Sequence, residues 1–175
     1  DGSTSLYIAC QRGHVDVVNA LLSQEKIDVN QARTNDNSTS LYIACQNGHV
    51  DVVKALLRKD SIDVNKAETG DGWTPLLIAC YRGHADIVNA LLRKDSIDVN
   101  KARTLDKATP LYIACYQGHT DIVNALLSQE KIDINKARND GSTPLYIACY
   151  RGHTDIVNAL LSQKTIKVNQ ARTND

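Results

Sequence analysis

Short apolar runs recur along this chain at a nearly constant interval. Each run is followed, beyond a Gly-His pair, by apolar residues spaced three and four positions apart, as at Val88, Leu91 and Leu92. That spacing places apolar side chains on one face of a helix. The pattern therefore predicts a tandem array of small helical units. The first apolar runs, Leu-Tyr-Ile-Ala-Cys or once Leu-Leu-Ile-Ala-Cys, begin at Leu6, Leu41, Leu76, Leu111 and Leu145.

The repeat accounts for nearly the whole chain of 175 residues as one array of five units. Successive cysteines are 35, 35, 35 and 34 residues apart, and the histidines follow the same steps. Equivalent residues have equivalent surroundings, so a role given to one of them must be considered for all. We expect the array to be a fragment of a longer one. The units are 1–35, 36–70, 71–105, 106–139 and 140–174.

Each unit carries the start and stop signals of two short helices. In the third unit Thr74 can cap a helix that starts at Pro75, and Gly83 suits the left-handed residue that ends it. The first helix is predicted over 75–82. A second helix is predicted over 85–93, with Asp86 in its first turn. Apolar and polar residues then alternate over 97–100, which predicts a hairpin-like connection to the next unit.

Neither predicted helix is long enough to be stable alone, because isolated helices below about 12–15 residues are marginal in water. Stability must come from packing one unit against the next. The fold class predicted from the pattern is all-α, a solenoid of five helix–turn–helix units joined by β-hairpin-like loops.

The unit resembles the ankyrin repeat over the full chain. The T-P-L-H-x-A signature of that family is matched by Thr-Pro-Leu-Leu-Ile-Ala at 74–79 and by Thr-Pro-Leu-Tyr-Ile-Ala at 109–114 and 143–148. The N-G-H-x-x-V-V-x-x-L-L stretch is matched at 47–57, and the D-V-N ending at 28–30. The resemblance implies an ankyrin-type solenoid that binds a protein partner on a concave face formed by hairpin tips and first helices, without catalysis.

Two departures from the family pattern change local expectations. Tyrosine stands where the family has histidine in four units, and Leu77 stands there in the third, so the threonine–histidine hydrogen bond of the family needs another partner. Ser5 and Ser40 replace the usual proline of the first helix. Serine still permits a helix start there but does not preset the backbone angle.

Composition narrows the classes of function. Twenty basic residues balance twenty acidic ones, so no strong net field favours nucleic acid. No apolar run approaches the ~20 residues of a membrane span. We therefore expect no nucleic acid and no membrane as partners, and the resemblance implies a protein partner. Five cysteines in equivalent positions are expected to stay unpaired, which favours the cytoplasm or another reducing compartment.

The repeated Cys and His positions invite two chemical readings. Cys10 and His14 have a C-x3-H spacing, but zinc needs four converging ligands. Cys10, His14 and Asp16 also resemble the residue types of a hydrolytic triad, yet five copies exist and none is singled out. Both readings are strongly disfavoured against a buried thiol and a hydrogen-bonded turn histidine. We expect no catalytic residues, no metal and no cofactor.

One asparagine per unit closes the D-V-N segment or its equivalent. Its side-chain amide is expected to satisfy loop backbone groups. In the family that the unit resembles, this asparagine is sometimes β-hydroxylated, which makes hydroxylation a less favoured alternative. The five positions are Asn30, Asn65, Asn100, Asn135 and Asn169.

Units differ from one another chiefly before the Gly-His pair and at the hairpin tip. The resemblance places these positions in the concave groove, and the tyrosine, tryptophan and arginine found there are enriched at binding hot spots. A competing interpretation is that the tyrosines merely pack on each other and Trp73 covers a hairpin. The candidate partner-binding residues are Arg12, Asn47, Trp73, Tyr81, Arg82, Leu105, Lys107, Tyr116, Gln117, Tyr150 and Arg151.

Four functional hypotheses follow. The leading one is a non-catalytic interaction scaffold. The second is a structural segment that self-associates weakly end to end, since the terminal units resemble the central ones, whereas a monomer would favour the scaffold. The third is a targeting domain of a larger enzyme or effector, and the fourth is an engineered repeat sequence.

Overall fold

The computed structural model describes residues 2–170 and residue 172. Within these residues the chain forms ten α-helices and no β-strand, with two helices in each unit. Each helix is eight residues long, far below the ~20 residues of a bilayer span, and none of them could cross a membrane. The helices are α1 (Ser5–Arg12), α2 (Val15–Leu22), α3 (Ser40–Asn47), α4 (Val50–Leu57), α5 (Pro75–Arg82), α6 (Ala85–Leu92), α7 (Pro110–Gln117), α8 (Thr120–Leu127), α9 (Pro144–Arg151) and α10 (Thr154–Leu161).

The first helix of each unit has the ends that the sequence predicts. In α5 the Thr74 hydroxyl accepts a hydrogen bond from the Leu77 backbone N–H at 3.2 Å, and Pro75 is the first helical residue. Gly83 ends the helix in the left-handed region, at a φ of 78°. The predicted span of 75–82 is confirmed.

The second helix is one residue shorter than predicted. α6 ends at Leu92, and Arg93 follows as a right-handed cap. His84 precedes α6 but makes no side-chain capping bond, so this helix relies on Asp86 in its first turn and on packing. Because no left-handed residue marks the end, the sequence alone could not fix the boundary.

The helices form two layers. The five first helices pack on one another in sequence order, and the five second helices do the same beside them. Leu111, Ala114 and Leu126 are fully buried, as are their equivalents in the other central units. One continuous apolar core therefore runs the length of the array and is shared by neighbouring units.

The connections between units are hairpin-like without being strands. In the turn between the third and fourth units, the Arg103 N–H donates to the Ala108 carbonyl at 2.9 Å, and the Lys107 N–H donates to the Arg103 carbonyl at 3.0 Å. Neighbouring turns are also joined, because the Thr104 N–H donates to the Asp71 carbonyl at 2.9 Å. These bonds hold the turn tips in a row along one edge of the array.

Two of the tyrosines that stand at the histidine position of the family pattern contact a serine hydroxyl. The Tyr7 hydroxyl lies 3.3 Å from the Ser38 hydroxyl, and the Tyr112 hydroxyl lies 3.2 Å from that of Ser142. In both cases the serine belongs to the next unit. The replacement therefore links one unit to the turn of its neighbour.

The repeated asparagine also joins neighbouring units. The Asn65 amide nitrogen donates to the Ser96 carbonyl at 2.7 Å, and its amide oxygen accepts from the Asp98 N–H at 2.9 Å. The predicted use of the amide on loop backbone is confirmed, with the loop belonging to the following unit. The same pair of bonds is made by Asn30, Asn100 and Asn135.

Candidate functional site

Two adjoining cavities lie between the turns and the first helices of units three to five. The first has a volume of about 300 Å³ and the second about 210 Å³. Both are lined by aromatic rings together with arginine and aspartate side chains. The first is lined by Trp73, Tyr81, Arg103, Asp106, Ala108, Tyr112, Ile113, Tyr116 and Arg138, and the second by Tyr112, Tyr116, Arg138, Asp140, Ser142, Tyr146, Ile147, Tyr150 and Arg172.

The two cavities share a wall. Tyr112, Tyr116 and Arg138 line both of them, so these side chains separate one cavity from the next. The repeat places equivalent residues at equivalent points in successive units. The result is a row of cavities, one for each junction in this half of the array, which we call the aromatic groove.

The rings of the aromatic groove are held by contacts with each other and with arginine. Trp73 and Tyr81 meet edge to face, with ring centroids 5.3 Å apart. The Arg103 guanidinium lies 4.7 Å from the Trp73 ring centroid, and that of Arg151 lies 3.9 Å from the Tyr116 ring centroid. Arginine over an aromatic face is attracted by the ring quadrupole. The rings are thus fixed in place while remaining open to solvent.

Charged side chains form a ladder along the floor of the groove. Asp106 accepts from Arg103, in its own turn, at 2.6 Å and from Arg138, at the next turn, at 2.9 Å. Asp140 in turn accepts from Arg172 at 2.9 Å. Arg138 also donates to the Tyr112 hydroxyl at 3.3 Å. The ladder connects the turns of Asp106 and Asp140 with Arg172 and places Arg138 against Tyr112, which lines both cavities.

Partial burial and hydrogen bonding have opposite effects on the pKa values of Asp106 and Asp140. Burial alone would raise the pKa of Asp106, but hydrogen bonds from Arg103 and from the Ala108 N–H outweigh it, and the pKa is lowered. At Asp140 burial is likewise outweighed, there by the Ser142 hydroxyl and N–H and by nearby arginines, and its pKa is also lowered. Both carboxylates are therefore charged at neutral pH and hold the arginines in place.

The structure brings together four of the candidate residues. Trp73, Tyr81 and Tyr116 line the first cavity, and Tyr116 and Tyr150 line the second. Tyr150 is 75% exposed, against 40% for Tyr81, because no described first helix packs beyond α9. Rather than packing in one row, Tyr81 meets Trp73 and Tyr150 stacks on Tyr146. Trp73 is therefore part of the groove wall as well as of the turn.

Other candidates have different placements. Asn47 donates to the Gln11 carbonyl at 2.9 Å and Gln117 donates to the Tyr81 carbonyl at 3.2 Å, so both amides bridge the ends of neighbouring first helices. Arg12 is exposed at the end of α1 in a unit without groove aromatics. These three positions lie outside the two cavities.

Two candidates sit at the turn tip. Leu105 is 60% exposed and Lys107 has a positive φ of 62°. Neither lines a cavity, and both project from the rim of the groove. Arg82 and Arg151 belong with the groove, since their guanidinium groups lie over the Tyr81 and Tyr116 rings.

Several groove residues were missed at the level of sequence. Arg103, Asp106, Arg138 and Asp140 form the ladder, and Tyr112 stands between the cavities. The signal was present, because an Ala-Arg step recurs at equivalent positions and changes to Ala67-Glu68 only once. A comparison of units that looks for variation identifies only the positions that change, and the ladder residues and Tyr112 recur in most units.

The contacts of Cys45, Cys80 and His49 show a structural role for these repeated cysteines and histidines. Cys45 and Cys80 are fully buried free thiols, and burial raises the pKa of both. His49 lies within 3.1 Å of the Gln11 carbonyl, and its ring packs where a side chain at Gly13 would extend. Within the described residues no group of three or more His, Cys, Asp or Glu side chains is arranged to hold a metal ion.

A larger cavity of about 420 Å³ lies on another part of the surface. It is bordered by the connections that follow α6 and α8, with Leu92, Ile97 and Val99 beside charged residues of both signs. It contains no aromatic side chain. Because hot spots are enriched in tryptophan, tyrosine and arginine, the smaller aromatic groove is the stronger candidate site.

Comparison with known families agrees with the two-helix unit and its stacking. A family model for ankyrin repeats, three copies long, matches residues 1–68, 64–137 and 96–172. The chain belongs to the ankyrin repeat family. A search of curated proteins found no match. Ankyrin repeats generally act as protein–protein interaction modules, and the family is generally a non-catalytic scaffold.

Proposed function

We propose that this ankyrin repeat array binds a protein partner through the aromatic groove of units three to five. The observation that carries the proposal is the row of half-exposed rings, Trp73, Tyr81 and Tyr116, held by arginines at the mouth of adjoining cavities. Exposed apolar surface of this kind marks interaction sites, and rigid aromatic side chains lose little entropy on binding. The partner binds without chemical change.

The test compares two triple variants. Trp73→Ala with Tyr81→Ala and Tyr116→Ala removes the rings, whereas Gln11→Ala with Arg12→Ala and Gln46→Ala truncates the equivalent surface of units one and two. Each variant captures partners from an extract of the source cell, and circular dichroism verifies helix content. We expect the first variant to lose capture and the second to retain it. Equal capture by both would contradict the assigned surface.

A second function, end-to-end self-association, is supported by the two end faces of the array. Ile8 is 43% exposed, whereas its equivalent Ile78 is 4% exposed. Val17 is 50% exposed at the same end, and Leu161 is 45% exposed at the other. The ends are therefore uncovered copies of the surfaces that meet inside the array. A second copy could repeat the internal junction head to tail.

Light scattering across a concentration series tests this second function. We expect the average mass to rise with concentration, and we expect Ile8→Asp with Val17→Asp to abolish the rise. Leu105→Asp is the matched control, since it places the same charge at an exposed leucine on the turn tip. A constant monomer mass for the unaltered chain would exclude self-association over that range.

A further inference from the structure

We infer that the occupant of the aromatic groove is an acidic, proline-containing segment in the polyproline II conformation. The inference rests on the proposed function and names the class of partner for the same surface. Three observations lead to this inference, namely the spacing of the cavities, the residue types of their walls and the charge of the residues around them.

The spacing of the groove matches a polyproline II helix. Neighbouring first helices pack side by side, and packed helices lie about 8–10 Å apart. The two cavities are lined by equivalent residues of adjacent units, so they repeat at this interval. A polyproline II helix has three residues per turn and rises about 3.1 Å per residue, which gives a turn of ~9 Å. Every third side chain of such a segment therefore faces a new cavity.

The walls of the groove suit prolyl and aliphatic side chains. Tyr81, Tyr112 and Tyr116 present rings to the first cavity, beside Trp73 and Ile113. Aromatic-lined grooves bind polyproline II segments because these are extended before binding and lose little entropy. A β-strand fits less well, since its side chains face one side at every second residue, or ~7 Å.

The charge of the rim selects an acidic segment. No first helix carries an aspartate or glutamate. Glu68 caps the backbone N–H groups of Gly72 and Trp73, so its charge is engaged within the turn. The segments that form the groove contain six basic and four acidic residues, although the whole chain has no net charge. These segments are 68–82, 103–117 and 138–151, together with Arg172. The basic residues are Arg82, Arg103, Lys107, Arg138, Arg151 and Arg172.

Two of these arginines are available to a ligand. Within the described part of the chain, no carboxylate lies within 4.0 Å of Arg82 or Arg151, whereas Arg103 and Arg138 share Asp106. The guanidinium groups of Arg82 and Arg151 lie over tyrosine rings, two units apart. They are placed to receive carboxylates while prolyl or aliphatic side chains enter the cavities between them.

The chain provides its own optical probe for the test. Trp73 is the only tryptophan and lies in the first cavity, so its fluorescence reports occupation of the groove. Three peptides without aromatic residues are titrated: four repeats of Pro-Leu-Glu, four repeats of Pro-Leu-Lys, and a scramble of the first with irregular leucine spacing. We expect the first to bind at least tenfold more tightly than the other two. Equal or tighter binding of the lysine peptide or the scramble would overturn the inference.

Matched variants test which arginines recognise the negative charge of the peptide. Arg82→Ala with Arg151→Ala should weaken binding of the Pro-Leu-Glu peptide at least tenfold and remove its advantage over the lysine peptide. Arg12→Ala removes an equivalent exposed arginine beside a unit without groove aromatics, and its binding should stay within twofold of the unaltered chain. If Arg12→Ala weakens binding as much as the double variant, general surface charge explains the result and the inference is wrong.

Failure of this inference is distinguishable from failure of the proposed function. If the Pro-Leu-Glu peptide leaves Trp73 fluorescence unchanged while the aromatic triple variant still loses its cellular partner, the groove binds a partner of another chemistry. If the peptide binds but capture is unaffected by the triple variant, the groove recognises the peptide but does not carry the function proposed above.

Discussion

At the scale of single residues, burial separates one cysteine from its equivalents. Cys10, Cys45, Cys80 and Cys115 are buried, whereas Cys149 is exposed, since no described first helix packs beyond α9. Burial raises the pKa of Cys10 to about 12. The thiolate is the reactive form of cysteine, so buried thiols react slowly.

We predict that one of the five thiols reacts rapidly with a disulfide reagent in the native protein. Cys149→Ser should abolish the rapid phase, and all five thiols should react in concentrated guanidinium. The measurement is the absorbance of released thiol at pH 8 and low protein concentration. Two or more rapid thiols in the native chain would show that the junctions open more easily than the packing indicates.

The ladder gives a second residue-scale prediction, in the pH dependence of stability. The folded pKa of Asp106 is lowered below the unfolded value of about 3.9. The ionised carboxylate therefore stabilises the fold above pH 3.9, and this contribution is lost as pH falls toward the folded pKa. Asp106→Asn should lower the free energy of unfolding by about 1–2 kcal/mol at pH 7, and by less at pH 3.

Urea denaturation at pH 7 and pH 3 measures this difference. Glu130→Gln is the control, because Glu130 is an exposed carboxylate outside the ladder. We expect the control to change the free energy of unfolding by less than ~0.5 kcal/mol at both pH values. A loss for Asp106→Asn that is the same at pH 3 as at pH 7 would mean that the charge of Asp106 does not stabilise the fold.

At the scale of elements, the asparagine bonds replace what a strand ladder would otherwise supply between units. Asn65 connects the end of one unit to the backbone of the next through both atoms of its amide. Asn169 occupies the same position in the fifth unit and is exposed, and within the described residues no further unit packs against it. Asn65 and Asn169 therefore compare the same residue with and without a described neighbouring loop.

We predict that Asn65→Ala lowers the free energy of unfolding by about 1–2 kcal/mol, the cost of two partly solvated hydrogen bonds. Asn169→Ala should change it by less than ~0.5 kcal/mol. Guanidinium denaturation of the two single variants gives the comparison. Equal losses would show that the asparagine acts within its own turn and not across the junction.

Element boundaries that depend on local chemistry were predictable from sequence. The start and the end of α5 follow from the local preferences of Thr74, Pro75 and Gly83, and the structure has that helix at the predicted residues. The end of α6 has no such signal and was placed one residue too far. The partner of Tyr112 and the Arg138 partner of Asp106 lie about 30 residues away along the chain, where sequence spacing gives no distance.

At the scale of the whole molecule, stability is a sum over neighbouring units. Each unit shares its core with the next, and no helix exceeds eight residues. Arrays of this kind gain stability with each junction and lose it with each removal. The five units contribute four junctions, so a shortened chain tests the additivity directly.

We predict that residues 36–139, which keep three units, unfold at a lower guanidinium concentration than the full chain but still cooperatively. Residues 71–105 alone should show little helix by circular dichroism, because one unit has no junction. The midpoints and the helix signal are the measurements. A stable, cooperatively folding single unit would contradict the shared core.

The asparagine bond, the tyrosine–serine contact and the turn-to-turn hydrogen bonds each join a unit only to its immediate neighbour. A gene that gains or loses one complete unit therefore leaves the junctions between the other units unchanged. The array is free to change its number of units while the step between them stays fixed. Recombination between stretches of DNA that encode such similar units would lengthen or shorten the binding surface by whole units. Substitutions at the variable positions would then give each unit its own binding preference.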